Sequence, residues 1–329
     1  MTDAGPQDVP IEVLVIGEAL VDEVVAPGTA PRTHPGGSPM NVAVGLARLG
    51  HAVALLSRWG DDAYGRLLAD HVTGNRVALL GDPVDQYATS VAEATLDERG
   101  SASYAFDLHW DLPAGAGEAA AALPGLRALH TGSIGAVLPP GAGAVRALVA
   151  ALRERATVSY DPNCRPALMG DPESTAATVE ALVSGADVVK ASTDDLAWLY
   201  PDRDWVESAR AWQRSGPAVV VVTRGGEGAW ACCAAGEVDV PPVQVSLVDT
   251  VGAGDAFQAG LLAALADGDL LGAERRDALR GVEVDVVRGV LERAALVAAV
   301  TVSRPGADSP TAAELVAAPE LAPASDDGT

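Results

Sequence analysis

Short apolar runs alternate with amphipathic stretches along most of this chain. Residues 11–16 read as a first buried strand ending at Gly17, residues 40–49 as a helix closed by Gly50, and residues 52–57 as the next strand. Further strand-length apolar runs lie at 128–131, 157–160, 187–189 and 218–223, with helical patterns between them, for example at 141–153 and 174–183. Strands alternating with helices predict an α/β fold, a mostly parallel sheet covered on both faces.

Two stretches break that rhythm. Residues 20–30 and 88–107 have the pattern of antiparallel strands, the second folding back at a turn around Arg99-Gly100. Such an insertion serves as a lid, a dimer clasp or a sheet extension, and a lid is the preferred reading. Residues 1–10 and 317–329, rich in Pro, Ala, Asp and Ser, are expected to be frayed tails around one domain spanning 11–316.

Composition narrows the function. Of 329 residues, 49% are hydrophobic and only two are Phe, so the core must be built from Ala, Val and Leu. With 22 basic against 45 acidic residues the formal net charge is -23, a surface that repels nucleic acid and anionic membranes. Neither is an expected partner, and any attraction for phosphate must come from a specific place. Cys164, Cys232 and Cys233 form no disulfide framework or C-x-x-C pair, which fits a reducing cytoplasm. The first ten residues are unlike a secretory signal, and apolar stretches such as 256–266 are too short to span a membrane. Lys190 is the only lysine, and its neighbours are Val and Ala. That excludes a Walker A loop and the protein-kinase V-A-I-K lysine. Phosphate handling would fall to backbone amides, arginine and metal.

The strongest chemical signal is Asp249-Thr-Val-Gly-Ala-Gly-Asp-Ala-Phe257, opening an apolar helix. Gly252, Ala253 and Gly254 let N–H groups converge at the helix N-terminus, where unpaired donors and the helix dipole favour an anion. Asp255 then stands at the mouth of that hole, placed to accept a proton from an attacking hydroxyl. Taken alone, the motif is more often a Gly-rich turn with Asp255 as an ordinary N-cap. The second signal is Pro35-Gly-Gly-Ser-Pro-Met-Asn41. Gly36 and Gly37 allow close backbone approach, and Asn41 offers both donor and acceptor to hydroxyls. Alone, it is a loop entering a helix.

Together the two segments resemble the signatures of the ribokinase-like (PfkB) carbohydrate kinases, in the expected order and at the expected separation. The resemblance runs from Ile11 to about Thr311. It is closest in look to fructokinases, through Gly17-Glu-Ala-Leu-Val-Asp22, Asp161-Pro-Asn-Cys-Arg-Pro166, Asp194-Asp-Leu-Ala-Trp-Leu-Tyr-Pro201 and Ser303-Arg-Pro-Gly-Ala307. It implies a three-layer sandwich with a small β lid from about 20–34 and 88–107. It also implies ATP- and magnesium-dependent phosphorylation of a hydroxyl of a small sugar, fructose first. Asp255 would be the catalytic base, with Gly252, Ala253 and Gly254 as anion hole. Asp22, Gly36, Gly37, Asn41 and Arg165 would bind the sugar. Asn163, Thr223, Gly225, Gly228 and Gly254 would bind ATP. Asp249, with the backbone near Val251 and Gly306, would hold a monovalent cation such as potassium. A homodimer through the lid is a further implication.

One departure stands out. The family's N-x-x-E segment is here Ser192-Thr-Asp-Asp195, so Asp195 would order magnesium-bound water with a shorter reach. Several bland readings stay open: a turn residue for Asp22, a surface ion pair for Arg165, packing for His109-Trp110, a hairpin turn for 223–228. The G-x-G-x-x-A from Gly226 to Ala231 is followed by a strand-like Trp230-Ala-Cys-Cys, which argues against a dinucleotide fingerprint. Rival functions are a kinase for ribose, 2-keto-3-deoxygluconate, a nucleoside or a sugar phosphate, and a non-catalytic sugar or nucleotide sensor.

Overall fold

In the computed structural model, which describes residues 10–96 and 102–317, nine strands form one sheet. Their spatial order is Gly236–Val240, Ala229–Cys233, Val219–Thr223, Val188–Ser192, Thr157–Asp161, Ala128–Gly132, Val13–Ile16, Val53–Leu56 and Ala78–Leu79. All neighbours run parallel except at the Gly236 edge, where the two outermost pairings are antiparallel. Strand side chains divide alternately between two cores. Val13, Val15, Val219 and Val221 face one, while Leu14, Ile16, Val220 and Val222 face the other. The predicted strands are present within a few residues of their expected bounds.

Helices Ser38–Arg48, Ala253–Asp267 and Val284–Val302 cover the first face, and Gly141–Leu152, Pro172–Gly185 and Trp205–Ser215 cover the second. The first three pack unusually closely because the contact positions are small. A Cβ on Gly45 would lie 2.7 Å from Ala259 Cβ, and one on Gly260 would lie 2.9 Å from Ala294 Cα. That approach sets the N-terminus of Ser38–Arg48 beside the N-terminus of Ala253–Asp267.

A second sheet carries the strands Arg32–Gly36, Leu20–Val25, Val91–Leu96 and Ala102–Asp107, in that order. Each hairpin is antiparallel, as the pattern predicts, but the central pair Leu20–Val25 and Val91–Leu96 is parallel. Alternation identifies a strand; it says nothing of the direction of a partner 70 residues away. Buried Arg58 pairs with Asp85 and donates to the carbonyls of Tyr87 (2.8 Å), Ala88 (2.9 Å) and His109 (3.2 Å), fixing the base of the second hairpin. Trp110 is buried with its indole N–H on Gly135 O (2.8 Å), and His109 stacks on Tyr87, so both are packing residues. The turn at Arg99-Gly100 and nearly all of both expected tails lie outside the described residues.

Candidate active site

Segments leaving the C-terminal ends of the parallel strands carry most of the candidate residues. Glu18 and Asp22 follow Val13–Ile16, Asn163 and Arg165 follow Thr157–Asp161, Asp195 follows Val188–Ser192, and Gly225 and Gly228 follow Val219–Thr223. This is the edge at which open α/β sheets bind ligands.

The Asp249–Asp255 turn closes on itself in a defined way. Asp249 accepts from Val251 N (3.0 Å) and Gly306 N (2.8 Å), and these amides hold its carboxyl below the usual range. The three groups expected around a monovalent cation are therefore together, joined by amide donors. Gly252, at φ 73, caps the helix in the left-handed region that favours glycine. Ala253 N donates to Thr250 O (3.2 Å). The turn itself takes that donor, so Ala253, expected in the anion hole, has its amide engaged here. Among the described residues the amides of Gly252, Gly254 and Asp255 have no protein acceptor. They are the open donors of the expected anion hole.

Asp255 is the third residue of the helix and not its cap. Its side chain is largely buried and held at both oxygens, by Ser38 Oγ on Oδ1 (2.6 Å) and Asn41 Nδ2 on Oδ2 (2.8 Å). Both donors come from the first turn or so of Ser38–Arg48, so Asn41 orients the candidate base. Ser38 went unnoticed in the sequence reading, since no local pattern joins positions 217 residues apart.

On the sugar side, Asp22 lies on the lid strand opposite His34. A Cβ on Gly36 would collide with its carboxylate, which accounts for glycine there. Burial pushes Asp22 up to about 6, against the pull of Arg165 and His34. Glu18, which sequence reasoning also missed, accepts from Gly135 N (2.9 Å), and burial pushes it up to about 7. Arg165 makes no carboxylate ion pair among the described residues; its Nη1 donates to Asn163 Oδ1 (2.7 Å). Asn163, at φ 37, keeps a buried Nδ2 without an acceptor.

Asp195 receives Ser192 N, Ser192 Oγ and Cys164 N, each at 2.7 Å. Both oxygens are occupied by protein donors: it caps its own helix and ties down the segment leading to Asn163 and Arg165. Among the described residues no three His, Cys, Asp or Glu side chains converge as a metal cage. Thr223 ends its strand, and Gly225–Glu227 forms a tight turn into strand Ala229–Cys233, so no helix follows to complete a dinucleotide fingerprint.

Residues 11–314 match the model of the pfkB family carbohydrate kinases. The chain belongs to that family. Its fold is ribokinase-like, and as a pfkB carbohydrate kinase it transfers a phosphoryl group from ATP to a sugar. A fructokinase from Rhizobium leguminosarum bv. trifolii is 34% identical over 269 residues, 79% of this chain and 81% of that protein. A fructokinase from Xylella fastidiosa with bound ATP superposes with a TM-score of 0.82 at 27% identity, covering 94% of this chain and 98% of that one. A double-mutant fructokinase from Vibrio cholerae O395, in a form with fructose, ADP and potassium ion bound, gives 0.76 at 28% identity, covering 96% and 100%. Among the described residues of this pfkB kinase, no helix is long and apolar enough to cross a membrane.

Proposed function

We propose that this kinase is a fructokinase and that Asp255 is its catalytic base. The observation that carries the reading is the Asp255 carboxylate, buried and aimed by Ser38 and Asn41, one residue beyond the free Gly254 amide. A sugar hydroxyl lying between Asp22 and Asp255 would lose its proton to Asp255 as it attacks the γ-phosphorus in line. The amides of Gly254 and Asp255 would take up the charge on the equatorial oxygens. Positioning and electrostatics carry such a transfer, because its transition state is loose. Magnesium would arrive on the ATP phosphates and neutralise their charge. The donor set suits an ion held by phosphate and water, since Asp195 and Asp249 are engaged by protein N–H groups.

Fructose is favoured on two grounds. The relatives named above are fructokinases. The sugar side also sets Asp22 and Glu18 against Arg165 and His34, a balance that suits a neutral substrate better than a sugar phosphate. Arg165, bonded to Asn163 and in no close carboxylate ion pair among the described residues, favours instead an anionic 2-keto-sugar acid.

The test is ADP release with MgATP across fructose, ribose, glucose, 2-keto-3-deoxygluconate, adenosine and fructose 6-phosphate, for wild type and Asp255→Asn. Turnover on fructose should fall by about 10²- to 10⁴-fold in a folded variant, the usual loss of a general base. A folded Asp255→Asn with near-normal turnover would overturn the mechanism, and wild-type activity confined to another sugar would overturn the substrate.

A further inference from the structure

The sequence places the lone lysine outside a Walker A loop and a V-A-I-K strand and leaves phosphate to backbone amides, arginine and metal. The fold places it under the anion hole. Lys190 lies on strand Val188–Ser192, facing helix Ala253–Asp267, and a Cβ on Gly254 would lie 3.1 Å from its Nζ. It is 3% exposed, and its partner Asp161, at 2.7 Å, is 1% exposed. The floor around them is polar where an apolar floor would pack better: His130 contacts Ser159 (3.2 Å), and Ser159 accepts from Gln258 Nε2 (2.9 Å).

A buried ion pair is a poor source of stability, since desolvation offsets most of its attraction. This one also leaves its ammonium underused. An ammonium has three donors, and among the described residues Lys190 has Asp161 as its hydrogen-bond acceptor. Burial works against the charge, but Asp161, with Asp195 and Asp255 behind it, outweighs burial and holds the Lys190 pKa above its ordinary value. The surroundings need that charge. Asp161, Asp195, Asp255 and Asp22 crowd the site in a chain of net charge -23, where an ATP γ-phosphate must settle.

We infer that Lys190 is the electrostatic backing of the anion hole: a positioning residue whose fixed positive charge, held by Asp161, stabilises the phosphoryl group through the Gly254 backbone during transfer. Asp161 also accepts from Asn163 N (3.1 Å), so the pair links the hole to the candidate ATP segment. The inference rests on the kinase reading and adds a charge that the amides alone do not supply.

The experiment compares Lys190→Met, Asp161→Asn and the double variant with wild type, by thermal unfolding and by steady-state kinetics on whichever sugar wild type turns over best. The double variant leaves no unpaired buried charge, so it carries the test if Lys190→Met alone does not fold. Asp161→Asn keeps the lysine but not the carboxylate that offsets its burial, so its kcat should fall as pH rises through a range where wild type stays level. The double variant should instead lose about 10- to 100-fold in kcat at every pH with sugar KM little changed, somewhat less than removal of a direct oxyanion donor. A double variant that turns over like wild type overturns the inference and leaves the pair a structural one. A loss in Asp161→Asn that matches the double variant's at every pH overturns it too, because protonating Lys190 would then restore nothing. Wild type inactive on every sugar would instead sink the kinase reading itself.

Discussion

Glu18 gives a sharp test of the site's electrostatics. Burial lifts its carboxyl from 4.5 to about 7, against hydrogen bonds from Ser133 and Gly135 and the charge of Arg165. The folded chain therefore holds a proton that the unfolded chain releases above pH 4.5. The stability tied to that proton is fully present below about pH 4.5 and is lost as pH rises through about 7. At about 1.4 kcal/mol per pH unit the whole effect is on the order of 3 kcal/mol, of which about 2 kcal/mol falls between about pH 5.5 and 8.5. Glu18→Gln keeps the shape and an oxygen for Gly135 N but cannot ionise. Urea unfolding of ligand-free wild type and variant across that range should show the variant gaining about 2 kcal/mol relative to wild type as pH rises. Asp22 and Asp161, also pushed up to about 6, slope the same way in both proteins and cancel in the difference. Two stability curves that stay parallel would refute the reasoning and mean that Glu18 is solvated or already ionised.

Two further substitutions probe how the fold aims the site. Gly45→Val forces a side chain into the 2.7 Å approach to Ala259, and should cost about 1–3 kcal/mol in thermal unfolding while lowering kcat as Ser38 and Asn41 draw away from Asp255. Adding Ala259→Gly should restore both; an unaltered kcat in the single variant would show that helix spacing does not aim the base. Asp195→Asn removes a charged acceptor from Ser192 N and Cys164 N, and should cost about 1–2 kcal/mol in urea unfolding and raise KM for ATP as the Asn163–Arg165 segment loosens. An unchanged KM for ATP would separate that segment from the nucleotide.

Legibility in the sequence followed the range of the interactions. The parallel sheet could be read because each strand and helix announces itself within ten or so residues, and the candidate anion hole because Gly252 and Gly254 stand just ahead of Asp255 in one turn. The double clamp on Asp255 could not be read, because Ser38 and Asn41 lie 217 and 214 residues away and meet it only through helix packing at Gly45 and Ala259. The place of Lys190 in the fold was hidden for a related reason. A strand buried on both faces gives no alternation to show which side chain looks toward which helix. Glu18 sat in plain view beside Gly17, yet its protonation state depends on burial and on Ser133 and Gly135, from the short helix Ser133–Val137 more than 100 residues on. That the Ala253 amide is engaged within its own turn could not be read either, because a Gly-Ala-Gly string does not reveal which donor its turn consumes.

The burial of the single lysine has a consequence for the chemistry of the whole surface. With Lys190 enclosed, the described exterior offers no side-chain amine, and its permanent cations are guanidinium groups. Acetylation, carbamylation and amine-directed coupling reagents therefore find no lysine to modify on the folded protein. Its surface charge stays where the arginines set it. An acylated Lys190, wherever it is found, records a molecule whose core had opened.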